Sequence, residues 1–308
     1  MNSIRRIRLI MAAVATAVLV VSVAASNATP IVHSAKKVTT KRTVVKKTTT
    51  TTAVTAASTT KAPTVVTSGS IGSVAASAKW ASNVTVKTGD GYTTYSSNGL
   101  PNHARQAEYA LPNQGVRVPS ATTAYAAADP TKAQNYSFKI TTSPRKAATT
   151  TSASLGSIGI MISGATLFNP YEGDGTTVAT ASNFTVKNAK GESVAFLDSC
   201  SGHPTPMGQY HYHALPACVT AQVDTPDGPS HIIGLAFDGF PIYGDRDIDG
   251  KAIKSSQLDA CNGITSTTPE YPSGVYHYVL LATSDSTSSI RCFSGTVDST
   301  ATAAMPGM

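Results

Sequence analysis

Most signatures of familiar enzymes are missing from this sequence. Its 308 residues include four cysteines, none in a Cys-x-x-Cys pair, so neither a zinc ribbon nor a thioredoxin-type redox centre is indicated. There is no Gly-x-Ser-x-Gly elbow, His-Glu-x-x-His pair, Walker loop or dinucleotide fingerprint. Aromatic residues make up 6% of the chain and are scattered rather than interleaved with Lys and Arg, which excludes a stacking platform for single-stranded nucleic acid. Acidic residues are absent from residues 1–70, which carry ten Lys or Arg; residues 71–308 carry fourteen basic and seventeen acidic side chains. The formal charge of +7 therefore belongs to the N-terminal tail, and no nucleic-acid partner is expected for the remainder.

The N-terminus has a basic start at Arg5, Arg6 and Arg8, an apolar run from Leu9 to Ala25, and small residues around Ser26 and Ala28. This predicts a secretory signal over 1–28, with an uncleaved anchor as the alternative, and a secreted or cell-surface protein. Residues 29–70 are rich in Thr and Lys and have neither aromatics nor amphipathic period. Such a segment buries too little apolar surface to offset its ordering entropy, so a disordered stalk is expected, able to touch an anionic cell wall or lipid headgroups. The four cysteines of an exported chain favour two disulfides, Cys200 with Cys218 and Cys261 with Cys292, each closing a short local loop.

Beyond residue 70, short apolar-alternating runs such as "WASNVTVKT", "YSFKI", "SNFTVKN" and "ESVAFL" are separated by Gly, Pro, Asn and Ser clusters. The pattern predicts a mainly β domain, sandwich-like or pseudo-duplicated, with few short helices, one of them near "SSQLDAC". Two echoes favour duplication. "IGIMISGATLF" (158–168) matches "IGLAFDGFPIY" (233–243), and "GQYHYHAL" (208–215) matches "GVYHYVLL" (274–281), in the same order. The two Tyr-His-Tyr strands are expected to lie near each other.

Three of the seven histidines fall between Cys200 and Cys218, in "CSGHPTPMGQYHYHALPAC". On a strand, alternate side chains share a face, so His211 and His213 point one way and Tyr210 and Tyr212 the other. His-x-His on a strand is a sound bidentate clamp for a transition metal such as zinc or copper, and His203 offers a third nitrogen. His277 and Asp238 are expected to complete or orient the set. The opposing reading makes the histidines structural, in a module that binds a surface glycan or protein through exposed Tyr210, Tyr212, Tyr276 and Tyr278.

Together, "DSCSGHPTPMGQYHYHALPAC", "IIGLAFDGFPIYG", "LDACNG", "YPSGVYHY" and "RCFSG", with "SSNGLPNH" and "IGIMISGATLFNP" upstream, closely resemble the YHYH-domain family of exported proteins. The resemblance implies a family domain over 71–296 and a flexible tail over 297–308, and it implies no particular reaction. By motif position it adds His103, Tyr243 and Asp245 to the candidate site. The sequence departs from the family pattern at Ser163, where Asn is expected, which weakens any role for that turn. "DRDIDG" copies the first half of a calcium loop at Asp245, Asp247 and Asp249, but its twelfth position is Ser256 and not an acid, so calcium is the lesser expectation. Whether the site is enzymatic is left open, because hydrolysis and copper-type redox chemistry suit it equally.

Overall fold

The computed structural model describes residues 68–298. The expected signal, the stalk up to residue 67 and the tail from residue 299 lie outside the described residues. The first described element is a helix, Ser68–Ala76, straddling the boundary expected at residue 70. Ile71 and Val74 pack on Ile232, Tyr243, Tyr271 and Val275, while Ala75 is fully buried in the main core. Composition alone missed this helix because three apolar side chains suffice to dock it. Among the described residues no helix is long and apolar enough to cross a membrane.

The rest is mainly β. The expected strands form at Val84–Gly89, Tyr136–Thr141, Thr185–Lys187 and Ser193–Ala195, and "SSQLDAC" supplies one 3-10 turn, Ser255–Gln257. An eight-stranded sheet dominates, ordered Gly202–Pro204, Tyr210–Tyr212, Thr166–Phe168, Ser157–Met161, Ile232–Ala236, Pro241–Tyr243, Val275–Val279, Gly263–Ser266. A three-stranded sheet of Val84–Gly89, Tyr92–Ser97 and Tyr136–Thr141 shares its core, with Phe138 and Phe237 rings 4.8 Å apart between centroids.

The strand order of the large sheet reads as a palindrome, and pairing confirms the duplication. At its centre Ser157–Met161 runs antiparallel to Ile232–Ala236, with Ile160 opposite Leu235, its own counterpart in the echo. Moving outward, each half has a hairpin, then a parallel Tyr-His-Tyr strand, then an antiparallel edge strand. His203 faces His211 across one edge pair, and Ile264 faces His277 across the other. The two central turns are alike, with Gly164 at φ 95° and Gly239 at φ 87°, a region glycine enters without a Cβ clash.

The halves also share a hydrogen-bonded frame that neither echo revealed. In "DSCSG" Asp198 Oδ1 accepts the N–H groups of Cys200 (2.8 Å) and Gly202 (3.2 Å), while Oδ2 accepts the Tyr210 hydroxyl at 2.6 Å. In "DACNG" Asp259 does the same for Cys261 (2.9 Å), Gly263 (2.9 Å) and Tyr276 (2.9 Å). Ser201 and Asn262 occupy the left-handed region at matching places, φ 60° and 68°. Each frame anchors one disulfide, Cys200–Cys218 or Cys261–Cys292, with Cα atoms 5.5 and 4.7 Å apart, the pairing expected from the sequence.

Gly202 and Gly263 let the tyrosine hydroxyls close over the strand. A Cβ on Gly202 would lie 2.5 Å from the Tyr210 hydroxyl oxygen, and one on Gly263 closer still to that of Tyr276. Gly202→Ala and Gly263→Ala are each expected to lower stability by about 1–3 kcal/mol, because the ring must leave its aspartate to make room. A shift of the urea midpoint at unchanged slope measures this.

Candidate metal centre

Strand alternation and one edge pairing assemble the histidine cluster. His211 and His213 lie on the same face, and His203 reaches them across the antiparallel pair. The Nε2 atoms of His211 and His213 are 3.0 Å apart, and those of His203 and His213 are 3.3 Å apart. All three side chains are buried, at 7%, 2% and 3% exposure, and their ligand atoms lie within 4.8 Å of one another.

The surrounding main chain fixes two of these rings. His213 Nδ1 donates to the Asn169 carbonyl at 2.8 Å and His211 Nδ1 donates to the Gln209 carbonyl at 3.2 Å. In a neutral imidazole a protonated Nδ1 leaves Nε2 as an acceptor, so two lone pairs are directed into the same gap. Burial pushes the His213 imidazole down to about 4, and burial followed by the neighbouring imidazoles holds His203 and His211 well below the ordinary histidine range. Phe168 stacks on the His211 ring at 3.8 Å between centroids, and Phe196 packs on His203 at 4.2 Å.

The three imidazoles form part of the wall of a cavity of about 410 Å³. Its other walls are largely apolar, including Pro112, Val116, Leu155 and Pro206, with Glu172 and Arg117 as the charged groups. Glu172 is 6% exposed, and burial pushes its carboxyl up to about 7. The sequence reading missed Glu172, Arg117 and Asn169. For Asn169 and Glu172 the missed signal is that the first echo continues past Phe168, where "NPYEGDG" aligns with "GDRDIDG"; Arg117 lies outside the echo and has no such signal.

The remaining expected members do not join this group. His277 shares the large sheet with His211, but four strands separate their two strands, roughly 24 Å at ordinary strand spacing. The expected proximity of the two Tyr-His-Tyr strands is therefore corrected. His277 Nδ1 donates to the Val275 carbonyl, and its ring packs edge-on to Tyr243, whose hydroxyl donates to Glu270 at 2.8 Å. Asp238 is fully buried in the second half, where its carboxylate accepts the Tyr278 hydroxyl and the N–H groups of Gly295 and Phe240. It is a structural acceptor.

His103 belongs to the tyrosine face of its strand: Nδ1 donates to the Ala104 carbonyl, and Nε2 accepts the Tyr212 hydroxyl at 2.7 Å. Tyr212 in turn bonds Ser163, the counterpart of Asp238, so that turn does have a structural role. His103 also lies close to Cys200 and Cys218, but both sulfurs are committed to their disulfide. Asp245, Asp247 and Asp249 form no ligand group among the described residues. Asp247 accepts the N–H groups of Asp249 and Lys251, and Asp249 pairs with the Lys251 ammonium, which explains the acidic repeat as a capped turn. Tyr210, Tyr212, Tyr276 and Tyr278 are buried, at no more than 6% exposure, which removes the aromatic face that the glycan-binding alternative requires.

A family model described as "YHYH protein" matches residues 137–254 and 247–295. No curated protein and no solved structure matches the chain.

Proposed function

The chain belongs to the YHYH protein family, and from that premise and the geometry of its first half we propose that it binds one zinc or copper ion through Nε2 of His203, His211 and His213. The observation that carries this reading is the pair of acceptor nitrogens 3.0 Å apart, on rings whose tautomers the Asn169 and Gln209 carbonyls fix. Two buried lone pairs at that distance repel unless a cation lies between them. Burial disfavours a proton there. Zinc–nitrogen bonds of about 2.0–2.1 Å at tetrahedral angles set neighbouring nitrogens about 3.3–3.4 Å apart, close to the spacing found.

The second half supports the same reading as an internal control. At the places of His203 and His213 it carries Ile264 and Val279 in the same pairing register. The frame therefore folds without those histidines, and the first half carries them for another reason. Three protein ligands leave a coordination position facing the cavity, the arrangement of a reactive site. Two disulfides and the signal-like N-terminus suit an extracytoplasmic location.

Elemental analysis after equilibration with zinc, copper, nickel and iron salts and removal of loosely held metal is expected to find one zinc or copper ion per chain. Retention of none of the four would reject the proposal.

A further inference from the structure

Past the hairpins, both halves enter a comparable bridged turn, one residue longer in the first half. Tyr171 bridges Val178 in the first half and Arg246 bridges Ala252 in the second. Within these bridges Glu172 N–H donates to Thr177 and Gly175 N–H donates back to Glu172, as Asp247 pairs with Lys251 and Gly250 with Asp247. Glu172 and Asp247 thus hold one structural position, but their carboxylates have different work. Asp247 caps its own turn through the N–H groups of Asp249 and Lys251. In the first half Asp174 supplies the cap, accepting the N–H groups and hydroxyls of Thr176 and Thr177.

Glu172 is thereby released from its turn and stands in the cavity wall with the histidines. Its side chain has one protein partner among the described residues, the Ser182 hydroxyl at 3.3 Å, and no cation beside it. One segment carries the whole arrangement: Phe168 stacks on His211, Asn169 holds His213, and Glu172 follows three residues later. A buried, unpaired carboxylate costs stability, and beside a site with an open coordination position its value lies in proton transfer. Arg117 is bound to this turn through its carbonyl, which accepts the Gly173 N–H at 3.0 Å; its exposed guanidinium makes no ion pair among the described residues.

We infer that Glu172 is the proton acceptor for a water held at the open position of the histidine site, and that the cavity hydrolyses small esters with an apolar body and a terminal carboxylate facing Arg117. The inference rests on the metal-binding reading above. The water oxygen bonds to the ester carbonyl carbon as Glu172 takes one of its protons. The bond from that carbon to the alcohol oxygen then breaks, and Glu172 passes the proton to the leaving alkoxide. Acid and alcohol are released, and nothing is oxidised or reduced.

The test uses the zinc-equilibrated chain with p-nitrophenyl acetate and p-nitrophenyl hemisuccinate, with zinc affinity measured on the same samples. The parent is expected to hydrolyse both esters. Glu172→Gln is expected to lower kcat/KM about 100-fold while zinc affinity stays within about threefold. Arg117→Gln is expected to shift the hemisuccinate-to-acetate ratio of kcat/KM about fivefold toward acetate. If zinc does not bind, the metal reading fails and this one with it. If zinc binds but neither ester turns over, or Glu172→Gln keeps the parent rate, the hydrolytic inference alone is overturned. An unchanged ester ratio in Arg117→Gln would remove the carboxylate preference.

Discussion

Replacing His203 by Ile and His213 by Val is expected to abolish metal binding and, in the metal-free chain, to raise stability. These are the residues the second half carries at the same places, opposite and beside His277, in a strand pair of identical register. The substitution therefore asks nothing of the frame that it does not already accommodate. Without a metal, the parent keeps three buried imidazoles, two of them with acceptor nitrogens turned toward each other, and well-packed apolar residues in place of buried polar groups so arranged are expected to stabilise by about 1 kcal/mol or more. With metal the order reverses. A ligand present at about 1,000 times its dissociation constant stabilises the parent by roughly 4 kcal/mol, and the double variant loses that shift. Loss of a ligand should weaken binding by more than the 10–100-fold typical of supporting residues. Thermal unfolding of both proteins, with and without zinc, checks these results together. A double variant that unfolds without metal more easily than the parent would make the histidines structural.

Asp238 is expected to behave in the opposite way. It is fully buried and accepts three donors, so Asp238→Ala leaves the Tyr278 hydroxyl and two N–H groups unsatisfied, at a cost of about 3–5 kcal/mol. Zinc affinity should stay within about threefold, since these contacts belong to the other half of the sheet. The same group leaves a signature in pH. Burial raises its carboxyl from 3.8 to about 6, the contacts to Tyr278, Gly295 and Phe240 opposing the rise, so the folded chain holds this proton more tightly than the unfolded one. The resulting stability is fully present below about pH 4 and is lost as pH rises through 6, on the order of 3 kcal/mol in all. The buried histidines, held below the ordinary range, act in the opposite sense over the same window, so the test is the difference: across pH 4–7 urea unfolding should show the parent losing stability relative to Asp238→Asn as pH rises. An unchanged pH slope together with lost metal affinity would return Asp238 to the metal site.

Much of this was legible from the residues. Alternation along "YHYH" put His211 and His213 on one face, and the two echoes announced the duplication. What they did not disclose was its symmetry. Each half grows outward from the central pair Ser157–Met161 and Ile232–Ala236, so counterparts near the edges end up far apart. An echo identifies equivalent residues, whereas neighbours depend on strand order, and for that reason His277 was misplaced. Asp198, Asp259 and Glu172 were overlooked for a related cause. Acids in turns look alike in sequence, and only the donors folded against them separate the carboxylate that caps a turn, like Asp247, from one left without that task, like Glu172.

The X-ray absorption spectrum of the zinc-loaded chain tests the central claim most directly. Three imidazole nitrogens at about 2.0–2.1 Å in the parent, with no zinc retained by the His203→Ile/His213→Val variant, is the predicted result. A first shell of oxygen or sulfur without imidazole scattering, or a spectrum identical in parent and variant, would contradict it.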